Sequence, residues 1–186
     1  SLAQVHEAVL HDGLRVAVKV QYPEIAALVE SDLANLRALF RAIDWLEGDF
    51  DLSALVDEMG RYVPRELDFL SEARNAERIG ALFAGRSDIH VPRIHREWTT
   101  RRVLVMEFID GIKITERSAL EAAGVDVARV VRTLMEAWCE QVLVHGFFQA
   151  DPHPGNLLVE PSGPRLVLLD WGLAKELPAA FRAQVL

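Results

Sequence analysis

Asp151, Asn156 and Asp170 are the residues whose types and spacing say most about chemistry. The run Asp151-Pro152-His153-Pro154-Gly155-Asn156 sets a carboxylate and an amide five positions apart in a segment crowded with proline and glycine. A further carboxylate follows in Asp170-Trp171-Gly172. Carboxylate and amide oxygens are hard donors of the kind that hold Mg2+, and one or two protein carboxylates suffice when phosphates supply the remaining ligands. With a separate acid to orient or deprotonate an attacking hydroxyl or water, these are the parts that phosphoryl transfer needs. Asp, Asn, Pro and Gly also favour turns on their own account, so ordinary turn structure is the competing reading.

Lys19 adds a cation. It sits in Val16-Ala17-Val18-Lys19-Val20, an apolar alternating run. A lysine in such a strand either blunts an exposed sheet edge or reaches into a site that tolerates charge; beside Asp151, Asn156 and Asp170 the second is favoured. Three acids, Glu66, Asp68 and Glu72, fall within two turns of a helical stretch. Spacing alone does not choose among them as a partner for Lys19, and a solvated acidic face is the plain alternative.

The elements that must position these groups can be traced along the chain. Gln4–Leu10 and Leu14–Gln21 are short apolar runs joined by His11-Asp12-Gly13, a hairpin signal. Pro23 opens a helical pattern through Ile25, Leu28, Val29, Leu33, Leu36, Leu39, Phe40, Ile43 and Leu46, closed by Gly48. A second helical stretch runs from near Asp51 to about Phe83, broken or kinked at Pro64. Val91–Trp98 and Arg102–Ile109 read as a strand pair around a turn at Thr99–Arg101. Helices are expected near Glu116–Ala123 and from Asp126 to about His145, ended by Gly146. Brief strands at Leu157–Glu160 and Arg165–Leu169 follow the Gln149–Asn156 loop. That order predicts an α+β fold of two lobes, a sheet lobe with inserted helices over residues 1–110 and part of a helical lobe over 111–186.

Composition sets limits. Of 186 residues 51% are hydrophobic, enough for a sizeable core and against wholesale disorder. A formal charge of −8 repels phosphate backbones and anionic head groups, so no nucleic-acid partner is expected and an ATP site must be a local positive feature. Cys139 is the single cysteine, which rules out an internal disulfide and a cysteine-based zinc site. His6, His145 and His153 show no metal-ligand spacing. Apolar runs such as Val103–Met106 fall far short of the ~20 residues of a membrane-spanning helix. The single cysteine fits a reducing compartment such as the cytoplasm, the Ala- and Arg-rich composition suggests a bacterial source, and the chain, starting at Ser1, reads as a piece cut at both ends.

The Asp151–Asn156 and Asp170–Gly172 spacing matches the protein-kinase pattern, with Gln149-Ala150 in place of His-Arg before the first acid. Taken together, Ser1–His6, Val16–Pro23, Glu66-x-Asp68 followed by Glu72, Asp151–Asn156 and Asp170-Trp171-Gly172 resemble the UbiB/ADCK-type atypical kinase family, in family order and over nearly the whole chain. The resemblance implies a protein-kinase-like fold that binds ATP and Mg2+. Lys19 would bind phosphates and pair with Glu72, Asp151 would be the catalytic acid, and Asn156 and Asp170 would hold the metal. Glu66 and Asp68 would form the family's acidic motif over the peptide groove. Ala3 and Gln4 would belong to the tail of an alanine-rich phosphate loop. Met106 would line the back of an adenine pocket, with backbone groups near Glu107 and Ile109 bonding the base. It also implies a part in isoprenoid quinone (ubiquinone) biosynthesis, with lipid or quinone precursor as partner and a place peripheral to the inner membrane. Two alternatives stay open: a small-molecule phosphotransferase of the aminoglycoside or choline kinase type, which shares the Asp-x-His-x-Gly-Asn loop, and a non-catalytic module that binds nucleotide and lipid.

Overall fold

The computed structural model describes residues 3–47, 56, 60, 67–178 and 181. It opens on the expected hairpin: β1 (Ala3–Val9) and β2 (Arg15–Gln21) run antiparallel, with Ala3 opposite Gln21 and Val5 opposite Lys19. Gly13 makes the turn at φ 88°, a left-handed conformation that costs glycine little. The Asp12 carboxylate accepts the Leu14 amide at 3.0 Å. Helix α1 (Ile25–Glu47) follows. Its stripe is only partly covered by described residues: Leu33 is buried, whereas Leu28 and Leu39 stand in solvent.

Helix α2 (Phe69–Leu82) begins where Asp68 accepts the Leu70 amide through its side chain, satisfying one of the free first-turn donors. Phe69, Glu72, Ala73, Ala76 and Ile79 recur at helical spacing and form its buried face. A two-residue strand, β3 (Ile89–His90), comes next.

Residues 91–98 do not form the expected strand. Only Ile94 bridges to Met106, and Arg96–Trp98 turn into a 3-10 helix. Pro92 has no N–H to give a ladder, and the Thr99 hydroxyl takes over the pairing by donating to the His95 carbonyl and accepting the Val105 amide. Strand β4 (Val103–Glu107) therefore pairs instead with β2, Met106 opposite Ala17 and Leu104 opposite Lys19.

Beyond β5 (Ile112–Lys113) come α3 (Arg117–Ala122) and α4 (Val127–Cys139), the latter capped by Asp126 onto the Arg129 amide. α4 continues as a π-helical turn, Glu140–His145, and Gly146 closes it at φ 64°. The remaining strands are β6 (Phe147–Gln149), β7 (Leu157–Glu160), β8 (Arg165–Leu168) and β9 (Ala174–Glu176).

Among the described residues three sheets result: β1-β2-β4, β3-β8-β7-β5 and β6-β9. All pairings are antiparallel except that of β3 with β8. The fold is thus α+β, as its sequence suggests. One buried cluster, including Phe69, Ile79, Leu104, Leu157, Leu166 and Trp171, runs between the sheets and α2. Arg86 ties the end of α2 to the π-helical turn, bonding Asp88 and Glu140 at 2.8 Å each.

Candidate active site

Lys19 is on the face of β2 that also carries Ala17, and the register puts Ala3 and Val5 of β1 on that face too. Glu72 lies in the first turn of α2, where the helix dipole favours a negative charge. The two meet: Lys19 Nζ donates to Glu72 Oε1 at 2.8 Å and Oε2 at 3.0 Å, and to Asp170 Oδ2 at 3.1 Å. One ammonium therefore joins a strand, a helix and a late loop. The Phe69 ring lies 5.2 Å from the same nitrogen.

The titration behaviour follows from this sharing. Burial opposes charge on Lys19, but the carboxylates of Glu72 and Asp170 together outweigh it and raise its pKa above the ordinary value. Burial pushes the Glu72 carboxyl up, and the neighbouring Asp170 charge adds to that push; Lys19 and the Trp171 amide offset only part of it. The lysine gains from both acids, while Glu72 gains one cation and suffers one anion.

Asp170 is held from three sides. Its Oδ1 accepts the Gly172 amide at 3.0 Å, and its carbonyl accepts the side-chain amide of Gln149. Gln149 is itself anchored, its backbone amide donating to Gln141 Oε1 at 3.0 Å from the π-helical turn. Asn75 bonds the Trp171 carbonyl at 3.0 Å, and the Trp171 side chain is buried in the core. The preceding loop is bound by its own backbone: His153 N–H to the Asp151 carbonyl, Asn156 N–H to the His153 carbonyl, and Leu169 N–H to the Asn156 carbonyl.

These elements enclose a cleft of about 480 Å³ lined by Ala3, Lys19, Phe69, Glu72, Gln149, Asp151, His153, Asn156, Asp170, Gly172 and Leu173. Its size suits a small-molecule ligand. Six of the residues singled out in the sequence meet there: Ala3, Lys19, Glu72, Asp151, Asn156 and Asp170. The spatial choice among the three acids falls on Glu72. Asp68 instead caps α2 and bonds the Ser71 hydroxyl at 3.1 Å, and Glu66 lies outside the described residues.

Gln4 is not brought to the cleft. It alternates to the opposite face of β1, is exposed, and bonds His6 at 3.1 Å. Met106, Glu107 and Ile109 do not line it either. Met106 is buried behind Glu72, in a small gap bordered by Leu104, Ile94 and Trp171. The Glu107 carboxylate accepts from the Arg93 amide at 3.1 Å and contacts His90 Nε2 at 3.1 Å, and Ile109 is half-buried. Sequence reasoning missed Phe69, Gln141, Gln149 and His153 as members of the site or its support. The signal for Gln149 was its place two residues ahead of Asp151; nothing in the pattern marks Gln141.

Among the described residues no three or more His, Cys, Asp or Glu side chains are grouped to hold a metal. The oxygens of Asn156 and Asp170 nonetheless fit Mg2+ on chemical grounds, because that ion keeps waters and takes ligands from substrate phosphates.

The profile of the ABC1 atypical kinase-like domain matches residues 1–186. AarF domain-containing protein kinase 1 of Mus musculus is 43% identical over 186 residues, covering 98% of this chain and 35% of the relative. The probable serine/threonine-protein kinase abkB of Dictyostelium discoideum is 40% identical, over 95% of this chain and 28% of its own length. ACTIVITY OF BC1 COMPLEX KINASE 3, chloroplastic, of Arabidopsis thaliana is 40% identical over 100% of this chain and 26% of the relative. This chain therefore spans about a third or less of these curated relatives. Among solved structures, that of Rv3197 with erythromycin from Mycobacterium tuberculosis superposes with a TM-score of 0.80 at 28% identity, covering 96% of this chain and 44% of that one. The kinase-like fold is shared with it.

Proposed function

The chain belongs to the ABC1 atypical kinase-like domain family, and on that premise we propose that it binds Mg-ATP in the cleft and passes the γ-phosphoryl group to water or to a small or lipid-like acceptor. One observation carries the reading: a single ammonium, Lys19, joins carboxylates from α2 and from the loop after β8 at the wall of a cleft that also presents Asp151 and Asn156.

In this reading Lys19 binds the α- and β-phosphates and Glu72 holds Lys19 in place. Asn156 and Asp170 hold Mg2+, which when bound neutralises phosphate charge. Asp151 orients the attacking hydroxyl or water, and Ala3 lies where the phosphates enter. Stabilisation comes from positioned charge rather than from covalent chemistry on the protein. The adenine contacts, Met106 with backbone groups of Glu107 and Ile109, are drawn from family resemblance and would extend the site beyond the residues that line the cleft. Residues 1–110 and 111–186 act as two lobes about the nucleotide, and the resemblance gives Glu66 and Asp68 to the family's acidic motif over the peptide groove.

The part in isoprenoid quinone biosynthesis is drawn from family resemblance. So are a lipid or quinone-precursor partner and a place in the bacterial cytoplasm, peripheral to the inner membrane. No helix among the described residues is long and apolar enough to cross a membrane. The test is Mg-ATP binding and phosphate release by the full-length protein, with and without anionic vesicles and a quinone-precursor mimic. Binding with turnover that rises on adding vesicles or mimic is expected. Tight Mg-ATP binding with no phosphate release in any condition favours the non-catalytic nucleotide- and lipid-binding module.

A second reading has one observation in its favour. A structural neighbour was solved with erythromycin, which supports a small-molecule phosphotransferase. Rapid phosphorylation of an aminoglycoside, choline or a macrolide would reverse the ranking.

A further inference from the structure

We propose that His153 is a phosphate-binding residue of this site, presenting its Nε2–H to an oxygen of the phosphoryl group that is transferred. The inference rests on the Mg-ATP reading above and deepens it.

His153 lines the cleft together with Lys19, Asp151, Asn156 and Asp170. Its Nδ1 accepts the backbone N–H of Gly155 at 3.0 Å. A ring nitrogen that accepts a hydrogen bond carries no proton, so the single N–H of a neutral imidazole must be on Nε2. The sequence is built for this lock. A Cβ at position 155 would stand 2.9 Å from His153 Nδ1 and 3.2 Å from Cε1, so glycine is the residue that lets the ring sit down on its own loop. Backbone bonds from His153 to Asp151 and from Asn156 to His153, at 2.8 Å and 2.9 Å, then fix the ring relative to both neighbours. Among the described residues Nε2 has no partner. It is an oriented donor awaiting an acceptor.

Charge gives the second argument. Among the described residues the lining side chains carry three carboxylates, Glu72, Asp151 and Asp170, against one cation, Lys19, and two of those acids already engage that cation. A polyphosphate entering the cleft adds more negative charge. A neutral donor fixed in advance stabilises phosphoryl oxygens without needing to reorganise during the reaction.

The alternative is that His153 only caps its own loop. Asparagine separates the two roles, because its Oδ1 can accept from a backbone amide two residues on but carries nothing at the Nε2 position. In the full-length protein, His153→Asn is expected to keep its Mg-ADP dissociation constant within about threefold while turnover falls about 10²-fold, the loss typical of one transition-state donor. Turnover equal to wild type would overturn the role. A second measurement does not depend on turnover. In full-length protein labelled with 15N-histidine, two-bond nitrogen–proton correlations should show His153 as the Nε2–H tautomer, and Mg-ADP with aluminium fluoride should shift the Nε2 resonance. An Nδ1–H tautomer, or an Nε2 signal unmoved while Mg-ADP with aluminium fluoride binds, refutes the assignment. Wild-type protein that binds no Mg-nucleotide at all defeats the parent reading and this one together, whereas normal binding with an inert His153 defeats this one alone.

Discussion

Lys19 and Glu72 stand 53 residues apart in the chain, yet the lysine nitrogen lies 2.8 Å and 3.0 Å from the two glutamate oxygens. Both side chains are largely shut off from water, at 13% and 3% exposure. The pair has a third member in Asp170, and that asymmetry governs how the site responds to mutation and to pH.

Removing the cation leaves two carboxylates facing each other with nothing between them. Lys19→Met is expected to lower the unfolding free energy by about 3 kcal/mol, the low end for stripping one partner from a buried ion pair. Glu72→Gln leaves the ammonium with Asp170 and should cost less. Urea unfolding of both variants ranks them, and a larger loss in Glu72→Gln would contradict the account.

The pH dependence has a definite sign. The folded-state pKa of Glu72 is raised from 4.5, chiefly by burial, so above that value the folded chain binds more protons at this site than the unfolded chain. Stability then falls with rising pH through the window between the two values. Glu72→Gln lacks this component. The urea midpoint of the variant, measured relative to wild type, should move in the variant's favour as pH rises above the ordinary glutamate value; movement the other way would count against a raised carboxyl.

Asp151 is exposed and lines the cleft, which makes it removable without loss of fold. Asp151→Asn is expected to retain nucleotide affinity while turnover falls by at least ~10²-fold, the lower range for a general base. Lost binding with normal turnover per bound nucleotide would be the wrong outcome.

Gly111 lies against the β7 strand so closely that an added Cβ would come within 2.9 Å of Leu158 Cβ and 3.4 Å of the Val159 carbonyl. Gly111→Ala should therefore cost about 1–3 kcal/mol through overpacking. At Gly85 an added Cβ meets nothing within 4 Å, so Gly85→Ala serves as the control. Thermal melts in which the two variants coincide would refute the crowding.

Much of this was legible in the sequence because the signals were local. The Asp-Gly turn gave the hairpin, Asp126 and Gly146 bracketed the α4 stretch, and the Asp151–Asn156 loop kept its acid and amide on one cleft. What was not legible depended on distant partners. Nothing near Val91–Trp98 announces that Thr99 will occupy the ladder positions or that β4 will pair with β2. The β6-β9 pair joins segments of only three residues each, too short for a period-2 pattern to register. Gln4 follows Ala3 by one position, and in a strand one position means the opposite face, so of these two described residues only Ala3 lines the cleft. The choice of Glu72 over Asp68 was equally closed to sequence, since either could cap or pair, and only the helix phase decides which faces Lys19.

The parallel pairing of Ile89 and His90 with Leu166 and Val167 has a consequence for how the chain comes together. The other three strands of that sheet all follow residue 110, so its outer member is on loan from the earlier segment. During synthesis that member must wait for some seventy-five further residues before its neighbour exists, a long loop to close late in folding. Cleaving the backbone between 110 and 111 should accordingly yield halves that complement one another on mixing rather than two that fold unaided.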